Sequence, residues 1–87
     1  MSEWKRTLYK AVQDAREHTC GSTPSNKRTI LRKLGRCESL CRELNVPTMI
    51  LLAIQKAYRI VNDAKDYYER LLADDILCEL LNTELGD

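Results

Sequence analysis

The sequence predicts an all-α protein: a small helical bundle built from a helical hairpin and a long third helix, with a short fourth helix if the third one breaks, associated as a dimer. Three observations predict it. From Ile50 onward the apolar residues recur in rows: Ile50, Ala57, Ala64, Leu71, Cys78 and Leu85; then Ala53, Ile60, Tyr67 and Leu81; then Ile54, Val61 and Tyr68. A stripe about three positions in seven wide suits a helix packed on more than one neighbour, whereas a two-position seam would suit a simple coiled coil. Two upstream stretches carry the same period, and the short connections between them force antiparallel neighbours. Finally, 87 residues are near the lower limit for independent folding. A chain of that size buries only roughly 60–65% of its unfolded surface, so three apolar faces imply a second copy that completes the core.

The first helix is expected from about Glu3 to Thr19, with Trp4, Leu8, Ala11, Val12 and Ala15 at helical spacing and Tyr9 at the edge. Gly21 stands where a left-handed C-terminal cap is wanted, and Ser22-Thr23-Pro24 supplies a turn. Thr23 can cap a second helix with Pro24 in its first position, where a missing N–H costs nothing. That helix should run to about Leu44 on a buried face of Ile30, Leu34, Cys37, Cys41 and Leu44, flanked by Leu31 and Leu40. Asn45 is a left-handed cap, and Pro47 ends one helix and starts the next.

Unbroken to Leu81, the third helix would extend roughly 50 Å at 1.5 Å per residue, more than a compact monomer covers. The stripe is interrupted by Asp74 and Asp75, either of which could cap a short fourth helix from Ile76 to Asn82. The other solution is a continuous helix whose overhang is covered by another copy. On either reading Ile50, Ile54, Ala57, Val61, Ala64, Tyr68 and Leu71 form the expected dimer or partner interface.

The formal net charge of +1 hides an asymmetry. Residues 1–42 carry ten Lys/Arg against four Asp/Glu, and residues 43–87 carry four against nine. Such a chain either folds its halves together or shows surfaces of opposite sign to different partners. The cations peak at Lys27, Arg28, Arg32, Lys33 and Arg36, five in ten residues with no acid among them. Arg28, Arg32 and Arg36 are four apart and line one helical edge opposite Ile30 and Leu34. Gly35 lies on that edge, where glycine costs about 1 kcal/mol relative to alanine and lets a phosphate backbone or another helix come close. Arginine forks at this repeat suit phosphate oxygens, and without interleaved aromatics they would bind backbone without reading sequence. The plainer readings are a solvated face, or a face paired with the acidic half of a second copy.

Catalysis and metal binding find little support. His18-x-Cys20 and Cys37-x3-Cys41 tempt a zinc reading, but Cys37 falls roughly 20 Å along its helix from the hairpin turn. Cys37 and Cys41 stand on the apolar face, where a free cysteine behaves as a small hydrophobe. His18 is the only histidine, no nucleophile–base pair stands at recognisable spacing, and there is no glycine-rich phosphate loop. Arg59–Asp63, Lys65–Glu69 and Asp66–Arg70 read as four-apart pairs on a solvated helix face. Tyr67 and Tyr68 read as core, whereas Tyr58 is free to sit at an interface or stack on a base. No cofactor, no metal and no enzymatic activity are therefore expected.

The N-terminal Met-Ser-Glu-Trp-Lys-Arg lacks an apolar core, and the longest apolar run, Met49 to Ile54, is too short for a bilayer. An intracellular, cytoplasmic protein with reduced thiols is the expectation, a nuclear one being compatible, with no membrane contact. Two functions fit: a homodimer contacting the backbone of duplex RNA or DNA, and a protein-interaction module, adaptor or inhibitor, that presents apolar helix faces to a host protein or complex. In size, helix content and placement of charge the chain is similar to the small helical RNA-silencing suppressors of insect viruses. The resemblance implies a dimer whose helices lie along an RNA duplex.

Overall fold

A computed structural model describes residues 3–20 and 26–86, the side chain of Cys20 excepted. They form four α-helices: α1 (Glu3–Cys20), α2 (Lys27–Glu43), α3 (Thr48–Asp63) and α4 (Tyr67–Asn82). Each helix packs against two others, α1 on α2, α2 on α3, α3 on α4 and α4 on α1, which closes the four into a ring around one core. The resulting body measures 35 × 21 × 17 Å.

The core is the product of the predicted periodicities. Leu8, Val12 and Ala15 of α1 meet Ile30, Leu34, Cys37 and Cys41 of α2, and Ile50, Ile54, Ala57 and Val61 of α3 complete it with Ala73, Leu77, Leu80 and Leu81 of α4. Thr19, the buried polar residue of α1, donates its hydroxyl to the Arg16 carbonyl at 2.7 Å, so burial leaves it satisfied.

Helix α2 begins where Asn26, in extended conformation, accepts at Oδ1 from the Thr29 N–H at 2.8 Å. The expected caps and turn at Gly21, Ser22, Thr23 and Pro24 lie outside the described residues. At its other end Asn45 adopts φ 53°, the left-handed cap read from sequence, and Val46 N–H reaches back to the Cys41 carbonyl at 3.2 Å. Pro47 then precedes the first turn of α3.

The long third helix of the sequence reading is instead two helices of 16 residues each, and the break is not at Asp74–Asp75. It falls at Ala64, whose ψ of 133° leaves the helix, and at Asp66, whose extended backbone starts α4. Asp66 Oδ1 accepts from the Glu69 N–H at 2.9 Å, while Glu69 Oε2 reaches back to the Lys65 N–H at 2.8 Å. This is a variant of the capping box with Asp in the usual Ser/Thr position: Asp66 satisfies the open Glu69 N–H of the first turn, while Glu69 returns to the N–H of the residue before the cap. Lys65 and Asp66 therefore precede α4 and do not form pairs on a helix face with Glu69 and Arg70. Asp74 lies in the middle of α4 and accepts from Arg16 Nε across the α1–α4 seam at 3.1 Å, and Asp75 is exposed.

The break corrects the expected interface. Folding α4 back on α3 turns Ile50, Ile54, Ala57, Val61 and Ala64 into the chain's own interior, each no more than 8% exposed. Leu71 is half-buried and Tyr68 turns to solvent at 78% exposure. The accessible surface is 5540 Å², close to the roughly 5,300 Å² that size scaling gives for a folded monomer of this mass. Within one chain Ile50, Ile54, Ala57, Val61 and Ala64 are covered by its own helices.

Candidate polyanion-binding face and its apolar counterpart

Three polar links fasten α2 to its neighbours, and they sort its cations into two groups. Lys33 Nζ sits 2.9 Å from Asp14 Oδ2 across the α1–α2 seam. Lys27 Nζ donates to the Ala64 carbonyl at 3.2 Å, placing its positive charge at the C-terminal end of α3, where carbonyls point outward. Glu38 Oε1 accepts from Gln55 of α3 at 3.1 Å and from Arg42 at 2.8 Å. These side chains link α2 to α1 and to α3. Arg28, Arg32 and Arg36 do not share in this: all three are exposed, and no carboxylate among the described residues neutralises them. Of the six residues singled out on α2, three arginines are therefore available to a ligand and two lysines serve as structural links. Gly35 faces open space, with nothing within 4 Å of where a Cβ would stand.

The α1–α2 seam widens this basic surface. Between the two helices lies an open cleft of about 440 Å³ lined by Arg6, Lys10, Lys33 and Arg36, with Glu3 and Asp14 as its acids. Four cations against two carboxylates leave an excess of two positive charges, and with Lys33 and Asp14 paired to each other that excess falls on Arg6, Lys10 and Arg36. Arg6 and Lys10 were absent from the sequence reading, although their four-residue spacing was visible. What was missing was the register that lays them beside Arg36. Arg28 and Arg36 lie eight residues apart, about 12 Å along the helix axis.

The opposite wall has another character. Met49, Leu52, Tyr67, Tyr68 and Leu72, the large hydrophobic residues exposed among those described, all belong to α3 and α4. Where these helices part, Met49, Ala53, Ile76 and Leu80 line a shallow groove of about 200 Å³ with Glu79, Thr83 and Glu84 at its rim. The expectation that Tyr67 and Tyr68 are core is overturned: they are 40% and 78% exposed, stacked edge-on at 6.1 Å between ring centroids. A helix that caps at Asp66 puts both rings in its first turn, outside the packed layer. Tyr58, expected at an interface or on a base, is half-buried against the core beside Arg59 and Glu38.

His18 and the cysteines have local surroundings of their own. His18 Nδ1 lies 2.8 Å from the Asp14 carbonyl, a geometry in which that nitrogen carries the proton, and 3.7 Å from the Asp14 carboxylate. Burial pushes the Cys37 thiol up to about 12, with Cys41 and Asp14 adding to the effect, and pushes the Cys41 thiol up to about 11 with help from Glu38. Both are free and buried, which makes them poor nucleophiles and poor thiolate ligands at neutral pH. Cys78, half-exposed on α4, accepts weakly from Asn82 Nδ2 at 3.5 Å. Among the described residues no three His, Cys, Asp or Glu side chains gather as a metal set, and no helix is long and apolar enough to cross a membrane. No protein-family model matches the chain, no curated protein is similar to it, and no solved structure matches it.

Proposed function

We propose that this chain is a non-enzymatic binding protein that holds the phosphate backbone of a duplex nucleic acid, RNA or DNA, on the outward face of α2 and the cleft it forms with α1. One observation carries the reading. The exposed arginine series Arg28, Arg32 and Arg36 is met by no carboxylate among the described residues, although acidic side chains answer other cations of the same helix. Guanidinium groups in such a row can each fork onto phosphate oxygens, and Arg6 and Lys10 add charge on the neighbouring helix. With no aromatic side chain within this series, the contact would be to backbone and shape and not to base edges.

The test is binding to a duplex of arbitrary sequence, followed as salt is raised. Affinity should fall steeply, and Arg32→Glu should lower it at least tenfold while flattening the dependence on salt. Affinity that ignores salt, or that Arg32→Glu leaves alone, would remove the proposal. A second reading is favoured by the exposed apolar residues of α3 and α4: a protein-interaction module, for which retention by a defined protein and none by nucleic acid is the signature.

A further inference from the structure

The apolar residues left on the α3–α4 wall form a surface, not a scatter. Met49 and Ala53 lie on the side of α3 next to α4, Leu52 is exposed on the same helix one turn from Met49, and Tyr68, Leu72 and Ile76 follow one another at four-residue spacing on α4. Because the two helices run antiparallel, Met49 and Ala53 stand near the C-terminal half of α4, as their shared groove with Ile76 and Leu80 shows. Met49 is 65% exposed, Leu52 and Leu72 are 58% and Tyr68 is 78%. Together these residues present roughly 500 Å² of surface, most of it apolar, within the range of the largest patches a monomer leaves in water. Two such faces in contact would bury on the order of 1,000 Å², the threshold for a specific interface.

We infer that this wall is the seat of a second copy of the same chain, related by a two-fold axis that lays α3 of each protomer over α4 of its partner. The charges on its rim favour a self-complementary contact over one with a ligand of single sign. Lys56 is exposed on α3, one turn from Leu52 and Ala53, whereas Asp75 and Glu79 are exposed on α4 beside Ile76. A two-fold that exchanges α3 and α4 sets the lysine of each copy toward the carboxylates of the other, twice over. A polycation or a polyanion would meet like charge at one of the two edges. The residues involved differ from the row at Ile50, Ile54, Ala57 and Val61, which each chain keeps for its own core. The contact also leaves the α1–α2 face outward on both protomers, so the pair would be bivalent for whatever that face binds. The inference does not depend on the polyanion reading.

Sedimentation of the full chain over a wide concentration range tests it. The expected species has twice the 10.1 kDa chain mass. Leu72→Asp and Leu52→Asp, both at exposed sites, should each weaken association at least tenfold with the helical circular dichroism unchanged. Lys56→Glu should weaken it, and Lys56→Glu combined with Glu79→Lys should restore it, which loss of folding would not. A wild-type chain that stays monomeric throughout overturns the inference, as does a dimer indifferent to Leu72→Asp. Duplex affinity of Arg32→Glu is read separately, so either proposal can fail alone.

Discussion

The α1–α2 wall and the α3–α4 wall enclose one core, yet they finish their outer surfaces in opposite ways. The first turns its exposed face to arginine and lysine and opens a charged cleft at its seam; the second exposes methionine, leucine and tyrosine around a shallow apolar groove. Core packing cannot account for the difference, because buried positions on both walls are filled by apolar side chains. The difference lies in residues that contribute little to folding and are therefore free to be chosen for contact. A surface salt bridge or a lone exposed leucine would mean little by itself. Segregation of an uncompensated arginine row from a cluster of large apolar groups, on opposite sides of a small bundle, means more.

The comparison breaks most sharply if the two walls do not share stability. Leu34 of α2 and Leu77 of α4 are both fully buried. Truncating either to alanine should cost about 2–5 kcal/mol, much of what a domain of this size has in hand. Both variants should unfold in one transition at the same reduced denaturant concentration by fluorescence and by circular dichroism. A Leu77→Ala variant that melts α3 and α4 while α1 and α2 persist would show two units where the geometry gives one.

Alkali should weaken the bundle through the basic wall. Cys37 and Cys41 both sit on α2, and burial raises both thiols above their ordinary value of 9.0. In the unfolded chain they lose protons from about pH 9 upward, whereas the fold keeps them neutral. Their contribution is therefore complete below about pH 9 and diminishes as pH rises toward 11 and 12. The slope is at most about 1.4 kcal/mol per pH unit for each thiol. Denaturation of wild type and Cys37→Ala on either side of that pH should give a smaller loss for the variant. Equal losses would mean that the Cys37 thiol is not held neutral by the fold.

Much of this architecture was legible in the sequence, and what was not has identifiable causes. The faces of α1 and α2 follow a clean 3.6-residue period, so Leu8, Val12, Ile30 and Leu34 could be placed inside without coordinates. Asn45 was readable because a short polar side chain at the end of a helix, two residues before a proline, is a natural left-handed cap. The α3–α4 junction was not, because the apolar rows run straight through it: Ala64 continues the stripe although it ends the helix. The signal that decides the matter is local, Asp66 and Glu69 at capping-box spacing, and it competed with an equally good reading as charge pairs on a continuous helix. Removing that cap by Asp66→Ala should cost about 1 kcal/mol, measurable by denaturant titration. No loss at all would return the junction to the continuous-helix reading. The arginine row was visible as a pattern, but which cations were free was not, since pairing of Lys33 with Asp14 depends on the register of two helices.

The smallest effect separates a structural from a functional reason for one residue. Gly35 lies inside α2, where glycine is unfavourable relative to alanine by about 1 kcal/mol. Nothing within 4 Å opposes a methyl group at that point, and its φ is not positive, so backbone geometry does not require glycine. Gly35→Ala should accordingly stabilise the bundle by about 0.5–1 kcal/mol. If glycine is there so that a phosphate backbone can approach α2 between Arg32 and Arg36, the same variant should bind duplex more weakly while folding better. If it stabilises and leaves affinity unchanged, the close approach is not made at Gly35, and the contact is confined to the ends of the arginine side chains. Those extend well beyond the helix surface and tolerate a ligand held further off.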